Sequence, residues 1–388
     1  MIYILIPALI LFFLGVIESF FHFRNLSKIP TVIHVNGTRG KSTTTRLIAG
    51  GLRESGLKVV AKTTGTAPRL IWEDGSEKPI KRRGKPNIIE NLKVVSFAAR
   101  KKADVLVMEC MALHPEMQWI SENRMLKSNI GVITNVGEDH LEVMGPLLED
   151  VARTMALMVP RGGALITPNG DFNEIFSQKA KGRETKIIFS DPNSVLEKTL
   201  KLFPYISFKE NIATALEVCE LMGVKREDAL SGMIKANPDP GVSFLKRLER
   251  SGTEFFFINA FAANDKKSTL LTWEKVQKNV SGNKVIGILN NRNDRPLRIH
   301  QLADIFNGDI KLEELILVGE WGLSEKRFIK KAFSGKILDF KKPKRVEKIL
   351  DYFVDKEDRV FLFGFGNTRG MGEQFIKFFQ ENGDDTKC

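Results

Sequence analysis

The segment that most constrains this fold is His34-Val35-Asn36-Gly37-Thr38-Arg39-Gly40-Lys41-Ser42-Thr43-Thr44. An apolar run, Thr31 to Val35, enters it, and a helical pattern from about Ser42 to Ser55 leaves it. A strand that turns into a helix through glycines aims backbone N–H groups at one point. That point is also the positive end of the helix dipole, so it suits a phosphate. Lys41 adds a mobile cation for the terminal phosphates, and the Ser42 hydroxyl is placed to ligate Mg²⁺. The first glycine of the usual G-x-x-x-x-G-K-[ST] loop is missing, because Val35 stands there. A chance glycine turn is the competing reading, and the order strand, turn, helix argues against it.

Ahead of this loop the chain has a different character. Met1 to Ile17 carries no charged side chain, and Glu18 is the only one before His22 and Arg24. A helix rising about 1.5 Å per residue crosses a bilayer core of about 30 Å in roughly 20 residues. No basic region precedes the apolar run and no small-residue cleavage site follows it, so a signal peptide fits poorly. Arg24 and Lys28 follow the span and favour the cytoplasm for what comes after. Residues 1–24 are therefore expected to be a single-pass anchor in the cell membrane, with the catalytic part in the cytoplasm. An amphipathic or partner-buried helix is the alternative.

With 388 residues the chain is long enough for two or three domains. From residue 30 onward, apolar strands alternate with helical patterns. Strand candidates are Thr31–Val35, Leu57–Ala61, Asp104–Glu109, Asn129–Val136, Gly163–Thr167 and Lys186–Ser190. They are short and almost continuously apolar, as in a parallel sheet covered on both faces. That is an α/β architecture. Asn211 to Met222 reads as a helix stopped by Gly223. Ala236-Asn237-Pro238-Asp239-Pro240-Gly241 reads as a linker. Beyond it, Glu254–Ala260, Lys284–Asn290, Glu314–Gly319 and Arg359–Gly364 are strands of a smaller Rossmann-like domain. The boundaries drawn are 25–244 for the nucleotide-binding domain and 245–388 for the second, with the acidic tail after Glu381 frayed. Three scattered cysteines make neither a disulfide framework nor a zinc site. The net charge of +12 points to an acidic partner or to a solvated basic surface.

Four further sites carry chemistry. Lys62-Thr63-Thr64-Gly65-Thr66 follows the second strand, and its hydroxyls either reach a metal or substrate or form a plain turn. Glu109 ends a buried apolar strand, where a carboxylate is costly unless paired or bound to metal. Beside a phosphate loop it is a natural Mg²⁺ ligand. Asn135-Val136-Gly137-Glu138-Asp139-His140-Leu141-Glu142 gathers carboxylates around an imidazole. His140 there either binds a second metal or bonds to Asp139. Asn259-Ala260-Phe261-Ala262-Ala263-Asn264-Asp265 places polar groups after an apolar strand of the second block.

Together these segments resemble the Mur ligase family of ATP-dependent amide ligases. Gly37 to Thr44 is similar to its shortened phosphate loop, Asp139-His140-Leu141-Glu142 to its D-H-[LM]-D element, and Asn259 to Asp265 to its D-x-x-x-x-N-P element. Asn211 falls where that family has an asparagine near the adenine. An anchor stands in place of the usual N-terminal domain. With Glu109-Cys110-Met111-Ala112, Val143-Met144-Gly145-Pro146, Pro238-Asp239-Pro240-Gly241 and Gly366-Asn367-Thr368-Arg369-Gly370, the likeness narrows to the ligase subunits of poly-γ-glutamate synthases.

The resemblance implies ATP and Mg²⁺ as cofactors, and activation of a glutamate carboxylate as an acyl phosphate. Lys41, Glu109 and His140 would be catalytic. Asn36, Gly37, Thr38, Arg39, Gly40, Lys41, Ser42, Thr43, Asn211, Asn259 and Asn264 would bind the nucleotide. Ser42, Thr64, Glu109 and His140 would hold metal. The implied partners are glutamate, an acidic polyglutamate chain, small membrane-protein subunits and the membrane, with a homo-oligomer allowed and no nucleic acid. Three positions depart from the family pattern. Thr154 and Met155 stand near where many members keep a modified lysine, Asn259 replaces an aspartate, and Arg247 is the nearest stand-in for a displaced arginine. Two other functions stay open: a folylpolyglutamate-synthase-like ligase, and a membrane-tethered P-loop ATPase without ligase activity.

Overall fold

The structure is a computed structural model, and it describes residues 2–65, 67–82, 84, 86–240, 242–261, 263, 266–280, 282–292, 296–306, 308–340 and 345–386. Asn264, Thr66, Gly241, Ala262, Asp265 and the basic run 341–344 lie outside these residues. The chain divides into two compact units, residues 1–196 with 208–239, and residues 197–207 with 240–388.

The first unit opens with helix α1 (Ile2–Leu26), whose side chains are exposed as far as Phe21. Eight strands follow: β1 (Thr31–Asn36), β2 (Val59–Lys62), β3 (Arg69–Ile71), β4 (Glu77–Pro79), β5 (Val105–Glu109), β6 (Ile130–Ile133), β7 (Ala164–Pro168) and β8 (Lys186–Ser190). They form one sheet in the order β4-β3-β2-β5-β1-β6-β7-β8. The strands from β2 to β8 run parallel, and β3 and β4 add an antiparallel edge. β1 sits between β5 and β6 and is buried along almost its whole length. Its apolar residues therefore need cover on both faces, which explains why Thr31 to Val35 reads as an unbroken apolar run. Three helices bear on the site: α2 (Lys41–Glu54), α3 (Glu90–Arg100) and α4 (Pro115–Ile120). α4 continues into a π-helical turn, Ser121–Leu126. The register Val35↔Glu109 brings the phosphate-loop strand level with the carboxylate that ends β5.

The second unit holds β9 (Phe244–Arg250), β10 (Thr253–Asn259), β11 (Val285–Asn291), β12 (Glu314–Gly319), β13 (Lys336–Asp339), β14 (Arg359–Gly366) and β15 (Asp384–Asp385). Their order is β13-β12-β11-β14-β10-β9-β15. Five are parallel, and β9 runs antiparallel to β10. The core is aromatic, with Phe257 stacked on Phe379 at 4.6 Å between ring centroids.

The two compact units part at Asp239/Pro240, and residues 197–207 go with the second. Ile206 N donates to Ser243 O at 2.9 Å, and Phe244 already pairs with Asn259 across β9 and β10. One sequence expectation is corrected: the acidic tail after Glu381 is not frayed. Asp384 and Asp385 pair with Arg247 and Lys246 on β9, and Lys246 Nζ lies 2.8 Å from Asp385 Oδ1.

Candidate nucleotide and metal site

The phosphate loop is shaped by two glycines. Gly37 has φ 138° and Gly40 has φ 77°. A Cβ at Gly37 would collide with Thr134 Oγ1, and one at Gly40 with Asn211 Oδ1. Only glycine combines that backbone with that closeness. Gly40 caps α2, so the Lys41, Ser42 and Thr43 amides fall in the first helical turn, where no preceding carbonyl of the helix can take them. Amides left open at a helix start are what an anion cradle requires.

A clamp from the next strand holds the loop. Asn135 Oδ1 accepts from Thr38 Oγ1 at 2.5 Å and from Arg39 N at 2.9 Å, while Asn135 Nδ2 donates to Arg39 O at 3.1 Å. Thr134 Oγ1 also donates to Arg39 O. Lys41 Nζ donates to Gly37 O at 2.5 Å and to Thr38 O at 3.2 Å, so the ammonium lies over the loop. Asn36 is buried, and its Nδ2 donates to Gln118 Oε1 at 2.8 Å.

Glu109 is 2 % exposed at the end of β5. It accepts from Ser42 Oγ at 2.8 Å, from Thr64 Oγ1 at 2.7 Å and from Thr64 N at 2.7 Å. One carboxylate and two hydroxyls thus converge at the residue after Lys41. The donors are all oxygen, which fits a hard cation such as Mg²⁺ and not a thiolate- or imidazole-seeking metal. Among the described residues, no group of three or more His, Cys, Asp and Glu gathers to hold a metal.

His140 sits at φ 52°, with Nδ1 3.2 Å from Glu142 Oε1 and Nε2 3.7 Å from Asp139 Oδ1. Arg39 reaches Asp139 at 3.8 Å. One cavity is lined by Asn36, Lys41, Cys110, Gln118, Asp139 and His140, so the structure brings the loop and the Asp139-His140 element together. Asn211 packs against Gly40 and therefore touches the phosphate loop itself. Thr154 is buried and donates to Met144 O at 3.2 Å, and Met155 lines the same cavity. Asn259 is fully buried in the second unit, where Nδ2 donates to Val242 O at 2.8 Å and Oδ1 accepts from Phe261 N at 3.2 Å. Arg247 donates to Glu254 Oε1 at 2.7 Å across β9 and β10.

Three supporting side chains had no role assigned from the sequence, although Lys62 opens one of the segments singled out there. Lys62 is fully buried, 3.6 Å from Glu90 Oε2 and 3.3 Å from Met111 Sδ. Burial pulls its pKa down, opposed by the charges of Glu90 and Glu109. Its signal was the one that marked Glu109, a charge closing an apolar strand. Gln118 and Glu122 lie one helical turn apart, the only hint that they share a buried face. Glu122 Oε2 lies 2.9 Å from His34 Nδ1, and Ser128 N and Oγ donate to Glu122 at 2.9 and 3.0 Å.

This pair makes a pH prediction. Burial opposes charge on His34, yet hydrogen bonds and charges from Cys110 and Glu122 overcome it and raise the pKa from 6.5 to about 9. The folded state holds this proton more tightly than the unfolded chain. Its stabilisation is complete below about pH 6.5 and is lost as pH rises through about 9. Glu122→Gln is expected to cost about 3–5 kcal/mol near neutral pH, because it strands a buried charge. Chemical unfolding of both proteins across this range checks it. The wild type should lose stability on the alkaline side, and the gap to E122Q should narrow.

Comparisons with known proteins speak to family and fold. Residues 35–212 match the Mur ligase middle domain, and residues 245–382 match the poly-gamma-glutamate synthase CapB C-terminal domain. The chain is 37% identical over 385 residues to PGA synthase CapB of Bacillus subtilis (strain 168), covering 97% of each chain. It is 43% identical over 309 residues to the capsule biosynthesis protein CapB of Bacillus anthracis, covering 79% of this chain and 67% of that one. Among solved structures, FolC of E. coli in complex with DHPP and ADP superposes with a TM-score of 0.65 at 15% identity, covering 94% of this chain and 92% of that one. MurF from Acinetobacter baumannii superposes with a TM-score of 0.66 at 16% identity, covering 94% and 79%. At such identities the two structures speak for the fold alone.

Proposed function

The chain belongs to the CapB family of Mur-ligase-like proteins, and from that premise we propose that it is an ATP-dependent amide ligase that polymerises glutamate into poly-γ-glutamate. The observation that carries the chemistry is the meeting of Ser42, Thr64 and Glu109 where a glycine-shaped loop enters its helix.

The reaction needs a carboxylate oxygen to attack the γ-phosphorus of ATP while the bond to ADP breaks. An amine then attacks the acyl carbon, loses a proton, and phosphate leaves. Lys41 stabilises the charge that spreads over the phosphoryl group in flight. The amides of Lys41, Ser42 and Thr43 fix the phosphates in place. Ser42, Thr64 and Glu109 would hold Mg²⁺, which when bound neutralises phosphate charge and orients the γ-phosphate. His140 lines the cavity that Lys41 lines, and we assign it to the acyl side, on a second divalent ion. Asn211 steadies the loop at Gly40. From the family resemblance, the second unit takes the incoming glutamate, and Asn259 and Asn264 belong to the segment assigned to the nucleotide.

The helix α1 is long and apolar enough to cross a membrane between Tyr3 and Leu26. We assign it as a single-pass anchor that places the ligase on the cytoplasmic face, beside small membrane subunits of a synthase. The product is a polyanion, and the net charge of +12 suits its retention. Purified chain with ATP, Mg²⁺ and glutamate is expected to release ADP and phosphate, and no AMP or pyrophosphate. Phosphate release that ignores every added amino acid would favour a bare ATPase. Dependence on a folate acceptor would favour a folylpolyglutamate-synthase-like enzyme.

A further inference from the structure

We propose that the face of the first unit from which α1 emerges is a docking surface for anionic lipid headgroups. The inference rests on reading α1 as a membrane span and adds a second contact with the same bilayer.

The end of α1 is built into the unit rather than tethered to it. His22 is buried, and its Nε2 lies 2.7 Å from Met125 O in the π-helical turn. Lys127 Nζ stands 4.3 Å from the centre of the Phe23 ring. Leu26 and Met125 pack on one apolar cluster with Ile29 and Val94. Exposed side chains run up to Phe21 and burial begins at His22, so the water–lipid boundary falls beside this junction. Whatever flanks the junction is then held at headgroup depth.

What flanks it is cationic. Segment 22–28 reads His-Phe-Arg-Asn-Leu-Ser-Lys, and segment 123–128 reads Asn-Arg-Met-Leu-Lys-Ser; neither contains a carboxylate. Arg24, Lys28, Arg124 and Lys127 are exposed. The nearby acid on the turn, Glu122, is buried and turned inward onto His34. Arg124 lies 5.5 Å from the Trp119 ring, and Trp119 is 37 % exposed. Cations with a partly exposed indole are the composition that settles at an anionic interface.

Lysine accessibility tests this on the full chain in nanodiscs of phosphatidylcholine, with and without phosphatidylglycerol. An amine-acetylating reagent reports each lysine by mass spectrometry. Lys28 and Lys127 are expected to react about five- to tenfold more slowly with phosphatidylglycerol present, with exposed Lys186 on β8 unchanged. Arg24→Gln with Arg124→Gln, or high salt, should return them toward their rates in phosphatidylcholine. Equal rates in both lipids, for a chain that resists alkaline carbonate extraction, would overturn the docking surface and leave the span standing. Release of the chain by carbonate would overturn the span and the docking surface together.

Discussion

Lys41→Ala is expected to reduce glutamate-dependent phosphate release by about a thousandfold or more, without unfolding the chain. The ammonium is held against the phosphate loop, donating to Gly37 O and Thr38 O. Removing a preorganised donor of this kind costs about 10²–10³ in rate, and a full charge on a phosphoryl group in flight sits at the upper end of that range. Stability should hardly change, because the two carbonyls it leaves line the ligand cavity and can meet water. Initial rates and thermal unfolding of K41A against the wild type check both halves. A near-normal rate would remove Lys41 from the chemistry. A collapsed melting temperature would make it a structural residue.

Glu109→Gln is expected to raise the Mg²⁺ concentration needed for half-maximal rate by about tenfold to a hundredfold, the scale seen when partners of a metal centre are lost. Size is kept, but the charge is removed from a carboxylate that is 2 % exposed and accepts three hydrogen bonds. The amide nitrogen would also face a donor it cannot accept from. His140→Ala should lower turnover more than it weakens ATP binding, if the ring serves the acyl side as assigned, beside Asp139 and Glu142. Magnesium titrations of turnover, with ATP binding measured separately, distinguish the two variants. If both titrate like the parent, the ligand assignments are wrong.

The centre of the first sheet was legible because its strands are buried along almost their whole length: β1 and β5 begin or end within a residue of the apolar runs that marked them. The antiparallel end of the second sheet was not legible: β9 carries Lys246, Arg247, Glu249 and Arg250, and β15 is two aspartates, so charge masks the strand pattern. The asparagine and aspartate turns beyond β6 shortened that strand to Ile130–Ile133, since Thr134 and Asn135 are taken up in holding the phosphate loop. At the site, the glycines, Lys41, Ser42 and Glu109 announced themselves because phosphate and metal chemistry demands those residue types in that order. Gln118 and Glu122 did not, because a polar side chain on a short helix looks the same whether it meets water or a buried histidine. The family resemblance put Asn211 near the adenine; what the structure adds is its close approach to Gly40 of the loop.

The measurement closest to the central claim uses membranes carrying this chain and its partner subunits, supplied with ATP, Mg²⁺ and labelled glutamate. The expected product is a large anion that resists α-peptidases, yields only glutamate on acid hydrolysis, and forms with one ADP released per amide bond. Label entering only together with a different amino acid or a folate acceptor would contradict the assignment of substrate, and release of AMP and pyrophosphate would contradict the acyl-phosphate chemistry itself.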